Sequence, residues 1–116
     1  MNIIKARGEI DLYKNTALDI MTKGTNLCRF LCDEKGEKLL SSKLFDSVAS
    51  LSQSCYSLSN PSLSKNELAS FRKTASFEWY NVNFYLDSLY MSGYISSAQK
   101  DSMTSSLENA KKEINL

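Results

Sequence analysis

The chain reads as all-α: one domain folded as an up-down-up-down antiparallel four-helix bundle. Three observations predict this. One proline and four glycines are all that interrupt 116 residues, which favours long helices over many short strands. Apolar residues recur at gaps of three and four in four successive segments, the period of an amphipathic helix. Two segments open on a capping box, Ser64–Glu67 and Ser96–Gln99, whose paired side chains satisfy orphan backbone donors. Four helices with short connections fold most simply by alternating direction.

Residues 1–9 read as an N-terminal leader and 10–116 as the bundle; Ile3 and Ile4 are the only apolar pair in the leader. Asp11 is the expected start of the first helix, after which Tyr13, Ala17, Ile20, Gly24, Leu27 and Leu31 share a face. Gly24 costs a helix about 1 kcal/mol relative to Ala, and two readings stay open for it: close approach of a neighbouring helix, or a mild defect. A charged turn, Asp33-Glu34-Lys35-Gly36-Glu37, ends this segment. The second helix carries Leu40, Leu44, Val48, Leu51, Cys55 and Leu58. Its other faces, read as outer ones, are filled by Ser41, Ser42, Ser47, Ser50, Ser52, Ser54 and Ser57. Serine is a middling helix former, so burial of the leucine face must hold the segment.

Asn60-Pro61-Ser62 leads to the central helix, from Ser64 to Gly93. Leu68, Phe71, Ala75, Trp79, Val82, Leu86 and Leu89 form its core face, and Gly93 suits the left-handed turn past a helix end. A second stripe, Phe77, Tyr80, Phe84 and Met91, also follows helical spacing but is rotated away from the first, with Tyr85 and Tyr90 nearby. Two readings are open for it. The rings thicken the core contact, or Phe77, Tyr80, Phe84 and Tyr85 join subunits, since aromatic residues concentrate at interfaces. The last helix begins near Ser96 and carries Met103, Leu107, Ala110 and Ile114, with Lys111 and Lys112 at the negative end of its dipole.

Much chemistry is excluded. With no histidine, the commonest general acid/base and metal ligand is missing, and so are Ser-His and Cys-His pairs. Cys28 and Cys32 share a helix face, but zinc needs two more ligands and only Cys55 and carboxylates remain. Small buried hydrophobes are the better reading for the three thiols. Glycines are scattered, so no phosphate loop forms. Glu78 and Asp87 stand too far apart for a carboxylate pair. The reading is a protein that is not an enzyme, with no metal and no cofactor. No secretory signal and no run of about 20 apolar residues occurs, so a cytoplasmic protein without membrane contact is expected.

The formal charge is +1, so any nucleic-acid surface must be local. Lys65, Arg72 and Lys73 cluster in the first turns of the long helix against Glu67 alone, and the first helix adds Lys14 and Arg29. These five are the candidate phosphate contacts, positioning rather than base-reading. A single small patch binds weakly and salt-sensitively, but repetition around a ring of subunits adds avidity.

Without a gap, Ser64 to Ser96 resembles the third helix and following turn of a family of bacterial four-helix-bundle proteins, those encoded by intervening sequences in large-subunit ribosomal RNA genes. The matching residues are Ser64, Lys65 and Glu67, apolar Leu68, Phe71, Ala75 and Leu86, and the more specific Gly93-Tyr94-Ile95-Ser96. Ile10-Asp11-Leu12-Tyr13-Lys14 with Ala17-Leu18 is similar to the opening of the family's first helix. The same superfamily includes the accessory variability determinant of diversity-generating retroelements, which works beside a reverse transcriptase. The resemblance implies a homopentameric ring and, through that branch, an adaptor for RNA or DNA and for the polymerase. The alternative it leaves is a structural or protein-interaction module without nucleic acid. Departures exist: Gln53–Leu58 replaces an Asn-Ile-Ala-Glu-Gly-like segment common in the family, and Glu78 and Asn81 replace a frequent Ser and Glu. The roles of those family residues therefore do not carry over. Their loss favours the retroelement branch, while a near-zero charge is less basic than that branch implies.

Overall fold

Four helices follow one another without an intervening strand among the described residues: α1 Ile3–Asp33, α2 Leu39–Ser57, α3 Lys65–Met91 and α4 Ser97–Ile114. The structure is a computed structural model that describes residues 3–116, the side chains of 3–7 and 9 excepted. Each helix packs on its neighbours in sequence, and α4 returns to α1, which closes the antiparallel bundle. The molecule is 49 Å long and 24 by 20 Å across.

The apolar stripes become the core. Ile20 and Leu31 of α1, Leu44, Val48, Leu51 and Cys55 of α2, Ala75, Val82, Leu86 and Leu89 of α3, and Leu107, Ala110 and Ile114 of α4 are fully or almost fully buried. Both capping boxes form: Ser64 Oγ accepts from Glu67 N and Glu67 Oε1 accepts from Ser64 N, with the same exchange between Ser96 and Gln99. Gly36 and Gly93 both adopt positive φ (64° and 80°) in the turns that follow α1 and α3, where a Cβ would be strained.

Two sequence expectations are corrected and one open reading is decided. The first helix starts at Ile3 rather than near Asp11. Of the leader read at 1–9, residues 1–2 lie outside the described residues and 3–9 are the opening turns of α1; no proline stands in their way. The serines of α2 are not all on outer faces. Ser41, Ser47, Ser52 and Ser54 are buried, because α2 packs closely on both α1 and α3. Ser41 Oγ donates to the Cys28 carbonyl at 3.2 Å, whereas Ser52 Oγ is buried without a partner. Gly24, for which two readings stood, is a close approach: an added Cβ would lie 2.5 Å from Val48 Cγ1.

Specific side chains tie the helices at fixed heights. Thr16 Oγ1 donates to Glu113 Oε2 at 2.7 Å and Lys23 Nζ to Ser106 Oγ at 2.6 Å, joining α1 to α4. Trp79 Nε1 donates to the Leu107 carbonyl at 2.7 Å, and the Arg72 guanidinium donates to the Ile114 carbonyl, joining α3 to α4. Because α4 ends at the level of Arg72, the first turns of α3 and of α1 project beyond it.

Candidate functional site

The α3 helix has two apolar faces pointing opposite ways. At 3.6 residues per turn, Phe77, Tyr80, Phe84 and Met91 lie across the helix axis from Val82, Leu86 and Leu89. The three rings are about two-thirds exposed (66%, 65% and 64%) and Met91 is 82% exposed. Tyr85 does not belong with them: it is half-buried and packs against the core, its ring meeting Phe84 edge-on at 5.4 Å. Around the stripe only Lys73 and Asp87 are charged. Asp87 pairs with Lys100 at 3.0 Å and stays 64% exposed.

A second apolar surface lies where α1 meets α2, and sequence reasoning missed it. Leu18 (56% exposed), Phe45 (39%) and Tyr56 (46%) protrude there. Phe45 borders a groove of about 360 Å³ whose walls include Thr25, Cys28, Arg29, Cys32 and Ser41. The signal was available, since all three residues fall outside the core stripes of their helices.

The five predicted phosphate contacts do not form one patch. Lys65, Arg72 and Lys73 lie in the first turns of α3. Lys14 shares that end of the bundle, for it helps line a cleft with Asn60, Pro61, Leu63 and Phe71. Lys111 and Lys112 close α4 nearby. Arg29 stands fifteen positions beyond Lys14 on α1, about 22 Å towards the other end. The Arg72 guanidinium is committed to the end of α4 through the Ile114 carbonyl, and its side chain is partly covered. Lys14 Nζ lies 5.7 Å from the Tyr56 ring centroid and Lys111 Nζ 4.7 Å from that of Trp79. Lys65, Lys73 and Lys112 remain exposed. Of the carboxylates at this end, Glu67 is engaged in its cap and Glu113 with Thr16, while Asp11, one turn before Lys14, is exposed.

No arrangement with the marks of catalysis appears among the described residues. The nearest is Asp19–Ser106–Lys23, between α1 and α4. Ser106 Oγ donates to Asp19 Oδ2 at 2.7 Å while Lys23 Nζ donates to Ser106 Oγ. A general base must accept the hydroxyl proton; here the amine donates instead, and Ser106 is 2% exposed. This is an inter-helix clamp. Glu78 Oε1 accepts from Asn81 Nδ2 at 2.7 Å, and with Asp87 held by Lys100 the two carboxylates form no pair. Among the described residues no three His, Cys, Asp or Glu side chains are placed to hold a metal ion. Burial pushes the Cys28 thiol above its ordinary range and the Cys55 thiol up to about 12. Among the described residues no helix is long and apolar enough to cross a membrane.

No family model and no curated protein matches the sequence. The fold has a solved counterpart, a protein of unknown function from the S23 ribosomal protein family of Bacteroides thetaiotaomicron. The two superpose with a TM-score of 0.84 over 92% of this chain and 95% of that one, at 20% sequence identity. At that identity the match establishes a shared four-helix fold. It is also the fold that the resemblance to intervening-sequence proteins implies.

Proposed function

We propose that the chain is a non-catalytic helical adaptor that works as an oligomer and holds the phosphate backbone of RNA or DNA with one end of its bundle. The observation behind this reading is the end where α3 begins and α4 stops. It gathers Lys14, Lys65, Arg72, Lys73, Lys111 and Lys112, while Glu67 and Glu113 are engaged by structural partners. Exposed amines on a rigid end give salt-sensitive contacts that do not read sequence. Arg29 falls outside this patch, and Arg72 supports it from behind rather than reaching out. A reverse transcriptase is the partner such an adaptor would serve, on the strength of the resemblance to the retroelement accessory protein.

Filter binding of single-stranded RNA at low and moderate salt tests the reading. A Lys65→Glu/Lys73→Glu variant avoids Arg72, whose loss would unfasten α4. Each phosphate contact removed should lower the slope of log affinity against log salt by about 0.7. Equal binding by both proteins removes the nucleic-acid role. A second reading, a protein-interaction module without nucleic acid, is favoured by the exposed Phe77, Tyr80 and Phe84, and it predicts that equality.

A further inference from the structure

We infer that the α3 stripe of one copy seats on the α1–α2 surface of the next, Phe84 entering the groove, Phe77 and Tyr80 lying ahead of it near Leu18, and Asp87 facing Arg29. This deepens the oligomeric part of the proposed function and rests on it.

The argument begins with area. A stable interface takes about 800 Å² from each partner, a little over half of it apolar. A Phe or Tyr carries on the order of 150–250 Å². Three rings about two-thirds exposed, with Met91 beside them, therefore offer on the order of 400–500 Å². That is the apolar share of one side of such a contact.

Two apolar surfaces on different sides then select the kind of contact. Self-pairing of α3 about a two-fold axis would cover the stripe and leave Leu18, Phe45 and Tyr56 bare. A head-to-tail contact covers both surfaces, and repeated rotation closes a ring.

Height and charge agree with this choice. The ties Thr16–Glu113 and Lys23–Ser106 set α1 against α4, and Arg72–Ile114 and Trp79–Leu107 set α4 against α3. A residue of α1 is therefore level with the α3 residue 57 positions further along the chain. Rotation about an axis parallel to the bundle leaves every residue at its own height. Arg29 then comes level with Leu86, one residue from Asp87. Phe84 comes level with Leu27, beside the stretch of groove walled by Thr25 and Cys28. Arg29 is exposed, and the Asp87 carboxylate, though held on one oxygen by Lys100, is more than half exposed. An acid on the stripe thus faces a base on the groove.

Complementation of two disabled faces tests the docking. Phe84→Glu spoils the stripe and Leu18→Glu the α1–α2 surface that receives it; both side chains are largely exposed, so helical circular dichroism should match wild type. Tyr80→Glu replaces Phe84→Glu if that variant does not fold. In light scattering, wild type should run at several times the 13.1 kDa chain mass, and each variant alone as a monomer. Their mixture should give a dimer and nothing larger, because one intact stripe and one intact receiving surface remain. Arg29→Glu alone should weaken self-association roughly 5-fold, and Asp87→Arg added to it should restore most of the loss. A wild-type monomer at micromolar concentration would remove the oligomer from the proposed function, and the docking with it. An oligomer that survives Phe84→Glu, or a mixture of variants that stays monomeric, would overturn the docking alone.

Discussion

Gly24→Ala should destabilise the bundle, the reverse of what an alanine usually does in a helix. At an uncrowded interior position the change would gain about 1 kcal/mol of helix propensity. Here the new Cβ would lie 2.5 Å from Val48 Cγ1, 3.1 Å from Cγ2 and 3.2 Å from Cβ. Val48 cannot swing aside: it is 0% exposed, and a β-branched side chain in a helix holds one χ1 rotamer. The backbones of α1 and α2 must separate instead, and overpacking of this kind costs about 1–3 kcal/mol. The net effect is a loss of roughly 0–2 kcal/mol. Val48→Ala, which removes the two clashing methyls, should cost about 2 kcal/mol alone, yet it leaves space that the methyl introduced at position 24 can enter. The double variant should therefore be about 1–3 kcal/mol more stable than the two single effects predict together. Urea unfolding followed by circular dichroism measures all four proteins. A Gly24→Ala variant about 1 kcal/mol more stable than wild type, or strict additivity in the cycle, would refute the close-approach reading.

Ser64→Ala removes the acceptor for Glu67 N and should cost about 1 kcal/mol in the same assay; Ser96→Ala should do the same through Gln99 N. Iodoacetamide at pH 8 should label half-exposed Cys32 first and leave Cys55 untouched, with mass spectrometry of the intact chain as readout. Burial raises the Cys55 thiol from 9.0 to about 12, so the folded state keeps a proton that the unfolded chain gives up. The corresponding stability is fully present below pH about 9 and is lost as pH rises toward 12; urea midpoints should fall across that window, and Cys55→Ala should flatten the fall. Trp79→Phe gives up the indole bond to the Leu107 carbonyl, which keeps its own backbone bond inside α4, so urea unfolding should show a cost of about 0.5–1.5 kcal/mol.

What could be read from sequence was what a few neighbouring residues decide. The core stripes follow the helical period, and each capping box is complete within four residues, so Val82, Leu86 and Leu89 or Ser64 and Glu67 declared themselves. The buried serines of α2 did not. A serine hydroxyl can bond its own helix, as Ser57 Oγ does to the Gln53 carbonyl at 2.8 Å, so its presence says nothing about which side meets solvent. Arg72 was misleading for the opposite reason. Its partner, Ile114, lies 42 positions away, and only the finished bundle brings an arginine of α3 to the open carbonyls of α4. Arg29 and Lys14 lie on one helix, so their separation was legible in the spacing; only the bundle showed that Lys14 shares its end with the start of α3. Tyr85 stands about 100° round the helix from Phe84, between stripe and core; the bundle turns it onto the core and leaves Phe84 outward.

The two proposed surfaces constrain one another. The amines that would hold phosphate sit at one end of the bundle, and the stripe runs along its flank toward the other. Under head-to-tail docking with the helices parallel, every copy contributes its Lys65, Lys73 and Lys112 to the same rim. An antiparallel two-fold pair would instead place them at opposite ends of the dimer, about 40 Å of helix apart, where one strand of nucleic acid meets only one set. The near-neutral net charge then ceases to count against a nucleic-acid role, because the binding field comes from repetition at the rim and not from the single chain. The consequence can be measured. Monomeric Phe84→Glu keeps every one of those amines, yet it should lose most of the affinity and most of the salt dependence of the wild-type oligomer. Retention of both by that monomer would mean that the basic end acts alone.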